Sequence, residues 1–267
     1  MNKAFYTKFV YHYFWYIKMK NVDLSATIGE IFPKRKEIKM KKYLDKFWLA
    51  PALAIIVLAM LYAAGFGICK HATDLTAENG VVENATYFCY AVMFVFFIKV
   101  RKSFQTPFEK RALVMFWFFG IAAVLREAGI QHWLASCDTT AFKIRFFTNP
   151  DNPLSEKIVA FVLAVLVAGL FIYAMMLWLL PAFKGLFKLY AGSWTVITFL
   201  SCGALCKIAD RTHGNLAKHG IILNPLGFWY GFLEIAEEGL EMMLPILAVV
   251  ALMQFQSDKN LFYPRGK

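Results

Sequence analysis

Six long apolar runs set the rhythm of the chain: Phe47 to Ile68, Thr86 to Val100, Ala112 to Trp133, Ile158 to Leu180, Tyr190 to Lys207 and Phe228 to Phe255. Roughly twenty apolar residues in a helix cross the hydrocarbon core of a bilayer. Run length and the absence of ten-residue alternating segments predict helices rather than barrel strands. The second run is short on its apolar letters and needs flanking residues to span. The pattern therefore predicts an all-α polytopic membrane protein, a bundle of six transmembrane helices over residues 47–255 with a short tail at 256–267.

Composition strengthens this reading. Hydrophobic residues make up 59% of the 267, aromatics 17% and charged residues 18%, with a mean hydropathy of +0.51. A soluble domain carries about 25% charged residues. The net charge of +11 points to basic loops at a membrane rather than to nucleic acid.

Residues 1–46 form a basic, aromatic segment without a clean period. Within it, "MKKYLDK" from Met40 resembles the usual start of a bacterial inner-membrane protein. Met40 is therefore expected to be the start of translation, with residues 1–39 an upstream reading frame. The competing expectation is a membrane-surface arm. Loop charge sets orientation. "KVRKSFQTPFEKR", "PAFKGLFK" and the tail "SDKNLFYPRGK" are basic, whereas "KHATDLTAENGVVENAT" leans acidic. The positive-inside rule then predicts both termini in the cytoplasm, an N-in/C-in arrangement in a bacterial inner membrane.

Against that background, "LEIAEEGLEMMLP" from Leu233 to Pro245 stands out. Glu234, Glu237, Glu238 and Glu241 follow an i, i+3, i+4, i+7 spacing, which places them on one helix face. At the same predicted depth, the third run brings Arg126 and Glu127, with His132 beyond, and the fifth brings Asp210, Arg211 and His213 beside Lys207, Cys202 and Cys206. Asp210 and His213 share a face if their helix continues that far, while Lys207 and Arg211 point elsewhere on the wheel and are expected either to snorkel to the surface or to turn toward neighbours. A charged group at a helix centre costs about 2.5–3.5 kcal/mol to insert. Such groups must face the bundle interior, pair, bind a cation or stay protonated. Six acids face three bases here, so protons, a metal ion or a cationic substrate must supply the difference.

These residue types suit a divalent metal such as Fe, Mn or Zn. Asp210, His213, Glu237, Glu238 and Glu241 are the expected ligands. Glu127 and Glu234 are the expected proton acceptors, and Arg126 and Arg211 are expected to hold a phosphate or a developing negative charge. The leading expectation is a metal-dependent membrane enzyme opening to the periplasmic leaflet and acting on a lipid-like or small-molecule substrate. The alternatives are a proton- or cation-coupled carrier, and a salt-bridge network that only pins helices. The chain has a single acid-x-x-His pair where carboxylate four-helix proteins carry two Glu-x-x-His motifs. It has five histidines and no H-x-x-x-H, unlike histidine-rich membrane hydrolases, and no Walker, dinucleotide or G-x-S-x-G signature. No C-x-x-C occurs, which excludes a thioredoxin-like redox motif. Cys69 and Cys137 are both expected on the periplasmic side, where disulfides form. The loop "FKIRFFTNPDNPLSEK", with Lys143 and Arg145, is expected either to hold a lipid headgroup or to anchor at the interface.

Overall fold

Helices account for every regular element in the computed structural model, which describes residues 43–69, 73–76, 80–130, 141 and 143–257. No strand occurs among them. The expected features at residues 1–39, at Met40, at His132 and Cys137 and at 258–267 lie outside the described residues, as do the side chains of Glu127 and His213. Residues Leu44–Lys267 form one compact unit.

In chain order the elements are α1 (Leu49–Gly67), the single turn α2 (Thr73–Thr76), α3 (Val81–Val100) with a 3₁₀ turn at Arg101–Ser103, α4 (Pro107–Glu127), the short α5 (Ile144–Thr148), α6 (Leu154–Leu186), α7 (Ala191–Lys218) and α8 (Phe228–Ser257). Among the described residues, four helical segments, over α1, α3 with its 3₁₀ turn, α6 and α7, are long and apolar enough to cross a membrane. The side chains of α6 turn outward almost throughout: Phe161, Val165, Ile172 and Met176 are all exposed. Each such side chain left in water forfeits about 1.5–3 kcal/mol, a cost that a lipid surround removes.

The remaining two long helices, α4 and α8, are marked by their charged and buried residues. Helix α4 carries Glu109, Lys110 and Arg111 near its start and Arg126 and Glu127 at its end. It begins earlier than the apolar run because Thr106 and Glu109 form a reciprocal capping box ahead of Pro107. Two backbone donors of the first turn are thereby satisfied, and the helix ends at Glu127 instead of reaching Trp133. Helix α8 runs unbroken through Pro245 and is the interior of the bundle: Ile235, Gly239, Met243, Leu247, Leu252 and Phe255 are all buried.

Helix α8 packs against α1, α3 and α7, while α6 packs on α7 and α4 on α3. Small residues set the closest approaches. A Cβ at Gly239 would lie 2.8 Å from Leu58 and Leu61 of α1, and one at Gly120 would lie 2.8 Å from Met93 of α3. The α6–α7 hairpin is tighter still, since Gly185 leaves room only for Ser193. Its turn passes through Leu189 at φ 55°, a left-handed conformation uncommon for a non-glycine residue. Helix α7 continues well past Lys207 and closes at Gly220, φ 78°, where the Ile221 amide donates back to the Leu216 carbonyl. Glycine supplies that C-terminal geometry without strain.

Candidate functional site

Three helices meet where the last turn of α4 reaches the middle of α7 and of α8. Glu241, halfway along α8, is 7% exposed. Its Oε1 accepts from the Arg126 guanidinium, contributed by the last turn of α4, and from the Cys206 thiol of α7 at 3.2 Å. A carboxylate at this depth needs such partners, because removing a charge from water is otherwise expensive. Arg126 keeps 46% of its side chain exposed, so it reaches inward from the bundle surface. Cys202, one turn along α7 from Cys206, is buried in the α1–α7–α8 cluster with Leu240, Met243 and Leu247. The buried pair is thus set in an apolar wall.

One turn toward the start of α8, Glu237 is half-buried and lies within electrostatic range of Asp210, Glu241, Glu234 and Lys207. It makes no hydrogen bond or ion pair among the described residues. Asp210 is ion-paired with Lys207 one turn away on the same helix. Of the two expected fates, Lys207 therefore turns toward a neighbour: its long stem lets the ammonium swing over a carboxylate at i+3. Glu234 hydrogen-bonds with Tyr230. Glu238 is half-buried and engaged by a neighbour. Arg211 is exposed, with no hydrogen bond or ion pair among the described residues.

Of the expected ligands and catalytic residues, Arg126, Asp210, Glu234, Glu237 and Glu241 fall in one electrostatic neighbourhood drawn from α4, α7 and α8. The helix of α7 does continue through position 213, so Asp210 and His213 are one turn apart on it. No group of three or more His, Cys, Asp or Glu side chains is arranged as a metal site among the described residues. Among the described residues, Cys69, Cys89, Cys202 and Cys206 are free thiols.

The 143–157 loop is folded. Phe146 is fully buried with Ala141 and Ala160, the Asn152 amide donates to the Phe146 carbonyl, and the Lys157 ammonium to the Asn149 carbonyl. Lys143 and Arg145 remain exposed.

A second polar junction was not apparent in the sequence. Gln254 near the end of α8 is wholly buried. Its amide nitrogen donates to the Leu44 carbonyl at 3.1 Å, and its amide oxygen accepts from Thr195 of α7 at 2.8 Å. Uncharged Gln254 and Thr195 are its trace in the sequence, and neither stands out from the polar letters beside it, Gln256 and Thr198.

No protein-family model, no curated protein and no solved structure matches the chain.

Proposed function

We propose that the chain is a cation-handling integral membrane protein of the bacterial inner membrane, with six spans in an N-in/C-in arrangement and a carboxylate site in the periplasmic half of α7 and α8. The observation that carries this reading is Glu237, half-buried among three other carboxylates. Two ion pairs answer Glu241 and Asp210. Glu237 adds further negative charge in a setting where clustered carboxylates cannot all ionise without a counter-charge. A proton or a divalent cation supplies it. Arg126 and Glu241 serve as the fixed wall of this site, and Glu237, Glu234, Glu238 and Asp210 as its exchangeable oxygens. Protons or cations then move through the site in the manner of a carrier or relay.

The second reading, a metal-dependent enzyme acting on a lipid-like substrate, draws on Asp210 and His213 standing one turn apart on a continuous α7. An Fe, Mn or Zn ion held by Asp210, His213, Glu237 and Glu238 would supply an activated water, with Glu127 as base and Arg211 facing the substrate phosphate.

One experiment separates them. Wild type and Glu237→Gln are purified without chelator, analysed for metal by mass spectrometry and reconstituted into vesicles containing a pH-sensitive dye. Proton or cation flux falling about tenfold or more in Glu237→Gln supports the relay. Stoichiometric metal without flux supports the enzyme. If neither appears, the cluster only pins helices and both readings fail.

A further inference from the structure

At the opposite end of the bundle from the glutamates lies a cavity of about 250 Å³ between α4, α6, α7 and α8. Its lining is almost wholly apolar and aromatic, including Phe116, Phe119, Met175, Phe199 and Leu252. Glu109 is the one acid in it, and its carboxylate is turned to the backbone amides of Gln105 and Thr106. Such a space stays dry unless an apolar group fills it. Phe171 lines the cavity while half exposed, so the space reaches the outer surface of the bundle between α4 and α6. Those helices meet through the edge-to-face rings of Phe119 and Phe171, centroids 6.3 Å apart.

The dimensions limit the occupant. Along α4 the lining runs from Glu109 to Phe119, ten residues and so about 15 Å. That is about half of the ~30 Å hydrocarbon core, the depth of one leaflet. The volume is below the roughly 300–1,000 Å³ of pockets that enclose a whole ligand, so one chain enters rather than an entire lipid. Charge then selects the headgroup. The two helices that frame the entrance both end in exposed cations on the same side: Arg101, Lys102, Lys110 and Arg111 around the start of α4, and Lys184 and Lys188 at the end of α6.

We infer that this cleft seats one acyl chain of an anionic glycerophospholipid, with the phosphate held by the basic ends of α4 and α6. The assignment to the cytoplasmic leaflet rests on the N-in/C-in orientation proposed above; the binding itself does not.

The test uses the full chain in phosphatidylcholine vesicles doped with trace phosphatidylglycerol carrying a photoreactive diazirine at the end of one acyl chain. The phosphatidylcholine analogue is the parallel probe. Crosslinks are expected at Phe119, Phe171 and Leu247, the deep end of the cleft. Yield should fall about five-fold for each of Arg101→Gln and Lys184→Gln, as expected for a cation near an anionic headgroup. Ala248→Trp, which fills the cavity, should abolish these crosslinks. If that variant does not fold, the milder Ala112→Leu and the wild-type comparison of the two probes carry the test. Equal yields from both probes, or crosslinks spread over the outward faces of α1 and α6 at Ile56 and Val165, would overturn the inference. Because the vesicles are symmetric, the result is independent of orientation, which accessibility of Lys143→Cys and Lys184→Cys to an impermeant thiol reagent reads separately.

Discussion

The two polar junctions of the bundle use the same helices for different ends. Near the close of α8, Gln254 joins Thr195 and the Leu44 carbonyl in a fully buried, neutral set of hydrogen bonds. Near its middle, Glu241 joins Arg126 and Cys206 in a charged set that opens, one turn away, onto half-buried carboxylates. A neutral, satisfied junction has nothing further to bind and acts as a clamp between the start of α1, α7 and α8. The charged junction satisfies Glu241 but leaves Glu237 in a field of like charge. That residual demand separates a candidate site from a clamp.

The strongest way to break this contrast is Glu241→Ala. It removes the carboxylate that Arg126 and Cys206 both donate to, and the expected loss is about 3 kcal/mol, at the low end for breaking a buried pair because the Arg126 side chain is half exposed. Unfolding in mixed detergent micelles measures it. Replacing both partners, Arg126→Met with Glu241→Leu, should recover most of that loss; a double variant as unstable as Glu241→Ala alone would show that the pair itself stabilises the fold. Gln254→Leu comes next, at about 1–2 kcal/mol, since interhelical hydrogen bonds in membranes are modest and Thr195 retains the Ala191 carbonyl as an acceptor. Cation flux or metal content should be unchanged in Gln254→Leu, and a loss there equal to that of Glu237→Gln would dissolve the distinction between clamp and site. The smallest effect belongs to Lys207 and Asp210. A double-mutant cycle with Lys207→Gln and Asp210→Asn should return under about 1 kcal/mol of coupling, as for exposed pairs. A larger value would place that pair with the structural wall.

Much of the architecture is written in local patterns. The helices of α1, α3, α6, α7 and α8 each fall on an apolar run, and the convergence of Arg126, Asp210 and the glutamates follows from their matched distances along antiparallel segments. The start of α4 was missed because the capping signal of Thr106, Pro107 and Glu109 sits outside the apolar run, where a hydropathy reading does not look. Which of its two expected directions Lys207 takes was not legible, because a wheel fixes the direction of Cβ and not of a long, flexible stem.

Sequence alone determined that these helices form, where their apolar stretches lie and which residues carry charge in apolar surroundings, because periodicity and burial energy are properties of each segment. Tertiary structure decided the pairings. Which glutamate takes the arginine, that Cys206 donates to the same oxygen, that Gln254 reaches Leu44 across 210 positions, and that four helices leave an apolar gap between them all depend on how helices rotate against one another. That rotation is set by close approaches such as Gly239 on α1 and Gly185 on α7, where contact between distant residues, and no pattern within either one, fixes the geometry.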